Sequence, residues 1–502
     1  MVAGNTGNRN VLHILPKMRN HAHLKERHVV VLVLGDIGRS PRMQNQSVSI
    51  ASLLYDKRAP NRCNVTLIGY KGEQCIPSVI DQPNLRILPI TPILSHIPRS
   101  LFLLTAPIKV LLQVSHPTLI RYITVTTTLQ ILQLFYILLV STGNTDAILL
   151  QNPPTIPTFL VVWISCKLKR AKFIIDWHNF GYTILALSLG ISHVFVRVRN
   201  RSISFKKPHA PSIPQIARFI ERVIGQKADA NFCVTQSMQT YLLSNWNIHA
   251  TVLYDKPPIS FRPTPLELRH KLFQSLSEQL KLCNDVSAII RSSSSDVVSV
   301  HHDGIRHTFR HDRPAVVISS TSWTPDEDFG ILLDALILLD QRIASSSSFP
   351  NLLVLVTGKG PQKAHYVEKI NDLRLRRIRI ATLWMQPEEY PLLLGAADLG
   401  VCLHTSSSGL DLPMKIIDMF GCQVPVCAVG FESLSELVQH STNGMIFSTH
   451  LELVDQLFEL LDGFPSRLNG NLHRMRMELQ SIERWTEHWN TIAKPVITAL
   501  WT

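Results

Sequence analysis

Short runs of branched apolar residues, each ending in a polar or glycine-rich turn, recur along the chain. Val29 to Leu34 (VVVLVL) runs into Gly35-Asp36-Ile37-Gly38, and Val65 to Gly69, Leu85 to Pro89, Ala147 to Leu150, Phe173 to Ile175 and Phe232 to Val234 follow in kind. Runs of this length suit parallel strands buried on both faces. Helix-like stretches lie between them, and Thr235-Gln236-Ser237 has the composition of a helix N-cap. Strands alternating with helices predict a doubly wound α/β sheet. The pattern restarts at Ala315 to Ser320, with an apolar helix over Ile331 to Leu339. A strand at Leu352 to Thr357 then meets Gly358-Lys359-Gly360-Pro361, and Leu399 to Leu403 and Pro425 to Val429 continue the series. Two Rossmann-like halves are therefore expected, over residues 29–260 and 314–484. Between them 261–313, with Ser292 to Ser295 and His301-His302, reads as a solvated insertion or linker. Residues 1–28 form a polar tail, and 485–502 an aromatic helix able to cross back to the first half.

One segment departs from a soluble pattern. Residues 100–141 are nearly all apolar, and Tyr122 to Thr145 carries no charged residue. About 20 such residues can span a bilayer. Thr124, Thr126, Thr127, Thr128, Gln130 and Gln133 dilute the run, and a span here would put two portions of one sheet on opposite sides of the membrane. The expectation is helices lying in the membrane plane, or a helix pair covering the sheet. Lys167, Lys169, Arg170 and Lys172 suit an anionic leaflet.

Composition narrows the classes. At 502 residues two domains are expected. With 45% hydrophobic and 17% charged residues, the chain is too polar for a multi-span membrane protein. A net charge of +13 favours anionic partners. The basic residues are scattered and no recognition module is present, so nucleic acid is not expected. The eight cysteines lack metal or redox spacing and read as reduced thiols. Residues 1–28 hold no apolar stretch long enough for a signal peptide or anchor, so the body of the protein is expected to face the cytosol.

Three polar blocks sit where strands end. In the first, Gly35 and Gly38 let the backbone approach a ligand, beside Arg39, and Asp36 either caps the helix or acts as a base. In the second, Asp176-Trp177-His178-Asn179-Phe180-Gly181-Tyr182 lies at the sheet edge where ligands bind. Trp177 and Tyr182 are candidates to stack on a sugar, and His178 is either a structural histidine or a working one. The third, from His404 to Cys422, is the strongest. Ser407, Ser408 and Gly409 open a helix start suited to a diphosphate, with Lys415 as counter-charge. Asp411 is placed for a sugar hydroxyl and Asp418 for a ribose. Gly358, Lys359 and Gly360 form a second glycine turn on the same cleft. The acidic run Asp326-Glu327-Asp328 reads as a loop before a helix, and no metal site is expected.

These blocks resemble the chitobiosyldiphosphodolichol β-mannosyltransferase family. The resemblance rests on Gly35 to Gln44, Gln151 to Pro154, Asp176 to Tyr182, Tyr254 to Pro257, Ser319 to Thr324, Gly358 to Pro361, Tyr390 to Gly395 and Leu399 to Cys422. It covers most of residues 29–490 in order, apart from the Ser/His-rich stretch. It implies the GT-B fold, two Rossmann-like domains facing a cleft. It implies transfer of the first mannose from GDP-mannose to dolichyl-diphosphate-linked chitobiose, at the cytosolic face of the endoplasmic reticulum membrane. Transfer inverts the anomeric carbon and needs a general base, for which Asp36 and then His178 are the candidates. Asp176, Asn179 and the first glycine turn would face the acceptor. No cofactor or metal is implied, and other dolichol-pathway mannosyltransferases are further candidate partners. The sequence departs from the wider group in that its nearest match to their Glu-x7-Glu is Asp411 and Asp418, one residue closer, and in having no Arg or Lys between Ser319 and Asp328. Two other readings stand: a non-catalytic scaffold of the same fold, and a soluble enzyme with a small acceptor.

Overall fold

The structure, a computed structural model, describes residues 27–55, 57, 63–91, 128–188, 213–281, 299–302, 306–324, 327–466 and 470–501. Most of the polar tail, residues 100–127 of the apolar segment, and Ser292 to Ser295 lie outside them.

The first lobe is a seven-stranded parallel sheet: β1 (Val29–Asp36), β2 (Val65–Tyr70), β3 (Leu85–Ile90), β4 (Ala147–Asn152), β5 (Lys172–Trp177), β6 (Ala230–Cys233) and β7 (Thr251–Val252). Its spatial order is β3-β2-β1-β4-β5-β6-β7. The apolar runs become strands because both faces are covered: alternate residues of β1 enter two separate cores, Val30 and Leu32 on one side, Val31 and Val33 on the other. The helices used below are α1 (Pro41–Leu54), α2 (Thr158–Lys169), α3 (Gly181–Ser188), α4 (Ile213–Gly225) and α5 (Gln236–Trp246).

Between the lobes lie α6 (Leu266–Lys281) and a hairpin of β8 (Ser299–His302) with β9 (Arg306–Phe309). Within 261–313, the solvated-linker expectation gives way over α6, while residues 282–298 lie outside the described ones. Leu272, Phe273, Leu276 and Leu280 recur at helical spacing and bury against Val316, Ile318 and Leu353 of the second lobe. Intervening Ser, Gln, Glu and Lys had diluted that stripe.

The second lobe holds β10 (Ala315–Ser320), β11 (Leu352–Thr357), β12 (Ile378–Leu383), β13 (Leu399–Cys402), β14 (Val426–Val429) and β15 (Gly444–Phe447), in the order β12-β11-β10-β13-β14-β15. It includes α7 (Phe329–Ile343), started by Asp328, whose carboxylate accepts from Gly330 N at 2.9 Å. It also includes α8 (Met414–Gly421). In both sheets the strand order reverses beside the central strand, β1 or β10, and loops at such a switch point form the ligand crevice of open α/β sheets.

The last helix, α9 (Trp485–Ala499), returns to the first lobe. Trp485, Trp489, Ala493 and Ile497 join Val31 and Leu149 in one core. Both indoles are satisfied there, Trp485 Nε1 on Ser49 Oγ at 3.0 Å and Trp489 Nε1 on Gln46 Oε1 at 2.8 Å. No helix among the described residues is long and apolar enough to cross a membrane. Residues 128–141 form a helical layer on the first sheet, with Leu134, Ile137 and Leu138 buried and Leu129, Leu132, Tyr136 and Val140 exposed.

Candidate active site

The glycine turn after β1 is closed by its own neighbours. Asp36 accepts from Gly38 N at 3.1 Å and from Glu73 N with both oxygens, at 3.0 and 3.1 Å. A Cβ on Gly38 would come within 2.3 Å of Glu73 O, so that glycine serves the turn's packing on the 72–73 loop rather than a ligand's approach. Gly35 has only Val33 Cγ1 within 4 Å of such a Cβ and borders open space. Arg39 is exposed and pairs with Glu73 at 3.0 Å.

Behind this turn, α1 carries Arg42 into the interior. Its guanidinium grips Asp176 with two bonds of 2.9 Å and also reaches Leu253 O and Asp255, while Gln46 Nε2 adds a third donor to Asp176. Burial opposes ionisation of Asp176, but Arg42 and then His178 hold its carboxyl well below the usual range. Asp176 therefore braces the site from beneath, and the expected contact with the acceptor is corrected: it is fully buried and its oxygens are taken.

The same holds for the two proposed stacking rings. Trp177 is completely buried, donates Nε1 to Asn231 Oδ1 at 2.9 Å, and packs on Phe159, Phe180 and Trp246. Tyr182 is buried too, its hydroxyl 2.8 Å from that of Tyr241. Neither ring has a face for a sugar. Alternation along β5 and the apolar face of α3 send them inward.

His178 and Asn179 are the residues of this block that turn outward. His178 N donates to Asn152 O at 3.0 Å, and its Nε2 lies 3.4 Å from Asp176 Oδ2. Asn179 Nδ2 crosses to the second lobe, reaching Ser407 Oγ at 3.0 Å and Asp411 Oδ1 at 3.1 Å.

On that side, Asp411 Oδ1 also accepts from Ser406 Oγ and from Ser408 Oγ, and Gly409 N donates to Ser406 Oγ at 2.8 Å. Gly409 takes φ +75°, a left-handed conformation that glycine adopts without steric cost. The loop ends at Pro413 and opens α8. Lys415, on its first turn, contacts Glu327 and lies 3.3 Å from Ser322 Oγ. Glu327 Oε2 accepts from Thr321 Oγ1 at 2.6 Å and Ser322 N at 2.5 Å, and His404 Nδ1 lies 3.5 Å from Oε1. Burial would raise this carboxyl, but His404 and then Lys415 hold it at about 2.

The glycine turn after β11 packs against the same loop. Cβ atoms on Gly358 and Gly360 would sit 1.7 and 1.8 Å from Thr321 O and Ser322 O. Lys359 Nζ lies 3.5 Å above the ring of Trp384, which is 40% exposed just after β12. Asp418 lies about one turn beyond Lys415 on α8. Burial and then Asp255 of the first lobe push its carboxyl well above the usual range.

The lobes are tied beside this cluster. Thr235 Oγ1 donates to Leu410 O at 2.5 Å, and Glu436 accepts from Gln236 N, Ser237 N and Tyr254 Oη at 2.7, 2.8 and 2.9 Å. The arrangement thus gathers Lys415, His404, the serine loop and Asp411 opposite His178 and Asn179. Such a set can counter a diphosphate, hold sugar hydroxyls and accept a proton. Sequence reasoning missed Arg42, Glu327, Trp384 and Glu221 as parts of the site. Glu221 shares a helical face with the buried Ala217 and Ile224, a spacing that marks a buried carboxylate.

Comparisons with known proteins agree with this geometry. The model of the glycosyl transferases group 1 family matches residues 313–463, the second lobe. The Arabidopsis thaliana protein called UDP-glycosyltransferase TURAN is 39% identical, covering 94% of this chain and 98% of its own. The chitobiosyldiphosphodolichol β-mannosyltransferases of Mus musculus and Homo sapiens are 38% and 37% identical, over 94% of this chain and 89% and 92% of theirs. Among solved structures, Anabaena HepE in complex with UDP and glucose matches with TM-score 0.55 at 15% identity, over 94% of this chain and 100% of that one. The sucrose-phosphate synthase of Thermosynechococcus elongatus matches with TM-score 0.59 at 14% identity, over 94% and 99%. These two show the fold alone, the GT-B arrangement of two Rossmann-like lobes. With a serine loop and lysine-bearing helix facing His178 and Asn179, and relatives this similar along nearly the whole length, the chain is a glycosyltransferase belonging to the chitobiosyldiphosphodolichol β-mannosyltransferase family.

Proposed function

We propose that this enzyme transfers mannose from GDP-mannose to the chitobiose carried on dolichyl diphosphate, inverting the anomeric carbon. The observation that carries the reading is the meeting of Asn179 with Ser407 and Asp411, which sets the first lobe's outward polar groups against the second lobe's helix start. Lys415 exchanges part of its contact with Glu327 for the donor's diphosphate, aided by the free N–H groups opening α8. Ser407, Ser408 and Gly409 line the sugar's approach, and Asp411 accepts one of its hydroxyls. Trp384, with Lys359 over its ring, offers a flat cationic platform to a purine. It stands two strands from the Ser322–Lys415 group, about 10 Å at ordinary strand spacing, a span that suits a nucleoside diphosphate. Asp418, in this proposal, meets the ribose.

His178 is the general base of this proposal. Asp176 behind Nε2 orients the ring, leaving Nδ1 for the acceptor hydroxyl. The hydroxyl oxygen bonds to C1 of mannose as the C1–O bond to GDP breaks, its proton passes to His178, and GDP departs with the bonding pair. This reverses the order suggested by sequence, since Asp36 is engaged with the N–H groups of Gly38 and Glu73. Positive charge comes from Lys415 and the helix start, and the step uses no metal ion.

A membrane site fits the acceptor's lipid. Leu129, Leu132, Tyr136 and Val140 form an outward apolar stripe. Leu160 and Leu168 are exposed on neighbouring α2, near the exposed Lys167 and Arg170, while Lys169 is held by Thr142 and Gly143 O. This face would rest on the cytosolic leaflet of the endoplasmic reticulum, where other dolichol-pathway mannosyltransferases would meet the enzyme.

The test supplies labelled GDP-mannose or UDP-sugars with lipid-linked chitobiose, with and without EDTA. Transfer from GDP-mannose alone, β-linked and unaffected by EDTA, is expected. Lys415→Ala should lower kcat/KM by about 10²–10³. Transfer only from a UDP-sugar, or full activity of the variant, would overturn the donor assignment.

A further inference from the structure

Glu221 lies in α4 on the first lobe with no exposed surface, and it contacts no position where substrate is placed. Its Oε1 accepts from Asn152 Nδ2 at 2.9 Å, Thr155 Oγ1 at 2.5 Å and Gly181 N at 2.7 Å. The Tyr182 amide also points at the carboxylate, so Glu221 caps the start of α3 from a different helix. A Cβ on Gly181 would fall 2.3 Å from Thr155 Oγ1 and 3.2 Å from Glu221 Oε1, which leaves that position to glycine.

These bonds continue to the cleft. Asn152 Nδ2, held by Glu221, also donates to Asn179 O at 3.1 Å, and Asn152 O accepts from His178 N at 3.0 Å. Asn179 Oδ1 accepts from Phe180 N at 2.8 Å, leaving its amide group to reach Ser407 and Asp411. One buried carboxylate thus fixes both ends of the turn from His178 to Gly181.

We infer that Glu221 is a positioning residue for transfer: it holds the turn that carries His178 and Asn179 in register with the serine loop of the other lobe. The inference rests on the reaction proposed above. Its cost is visible as well. Burial pushes the Glu221 carboxyl up to about 7, so the fold favours its neutral form. The stability it adds is complete below pH ~4.5 and is lost as pH rises through 7. Tyr182 faces it from α3, with Arg218 of its own helix over the Tyr182 ring, while Asn152 and Thr155 are uncharged. A titratable carboxyl kept in such a place serves alignment, since an amide would hold its stability across this pH range.

Full-length wild type and Glu221→Gln separate alignment from simple support of the fold. The variant's kcat should fall on the order of tenfold to a hundredfold, the scale of a small misplacement, with donor KM within about threefold. Its thermal midpoint relative to wild type should rise between pH 5.5 and pH 8. Amide exchange at Gly181 and Tyr182 should quicken, with other helices unchanged. Unchanged kcat, or a fall matched by a lower midpoint at pH 8, overturns the inference. If wild type transfers no mannose, the proposed reaction fails, and the exchange arm still decides: equal protection of Gly181 and Tyr182 removes Glu221 as the anchor.

Discussion

Asp36 and His178 are rival bases by sequence, and their surroundings separate them. Both oxygens of Asp36 are spent on loop amides, whereas His178 has one ring nitrogen 3.4 Å from Asp176 and a side chain that is still partly exposed. His178→Ala is accordingly expected to lower kcat by about 10²–10⁴, the range for a lost general base. Asp36→Asn should keep most of the transfer and lose about 1–2 kcal/mol of stability with its loop bonds. Saturation kinetics and urea unfolding of both variants check the pair, and the opposite pattern would restore Asp36. The two roles were not separable in the sequence, because an acid after a glycine turn is equally suited to capping and catalysis. The Asp176 to Tyr182 block posed a related difficulty. Its polarity announced a site, but strand alternation buries Asp176 and Trp177 while the next two residues turn out, and the local sequence does not show where the strand ends.

Among the elements, those with two covered faces were the easiest to read. VVVLVL, LLVLVT and AVVISS stand where their apolar runs put them. β12 escaped notice because Arg379 interrupts it, and β7 because its pairing is only two residues long. The stripe on α6 was hidden by polar neighbours. The last helix shows the limit of local pattern more clearly, since its amphipathic face is evident but its partner lies on β1 and β4. Trp489 is buried in that contact, and Trp489→Ala should destabilise the first lobe by about 3–5 kcal/mol. Urea unfolding followed by first-lobe fluorescence measures it. A loss confined to fraying of α9 itself would contradict the shared core.

For the whole molecule, the proposed membrane face is the exposed stripe on 128–141 together with the basic end of α2. Replacing Leu132, Tyr136 and Val140 by Ser together should move the protein from the floating to the sedimenting fraction with anionic vesicles. Transfer to a short-chain, water-soluble acceptor should be preserved. Flotation equal to wild type would assign membrane contact elsewhere.

The return of α9 to the first sheet also sets a schedule for the ribosome. Until the whole second lobe has been synthesised, the patch around Val31 and Leu149 that Trp485 and Trp489 will cover stays bare. A nascent first half is thus an unfinished body with a sticky side, and a cut at the hinge would strip it of its cover. Helix α9 locks β1 and β4, so errors late in translation are felt at strands made long before.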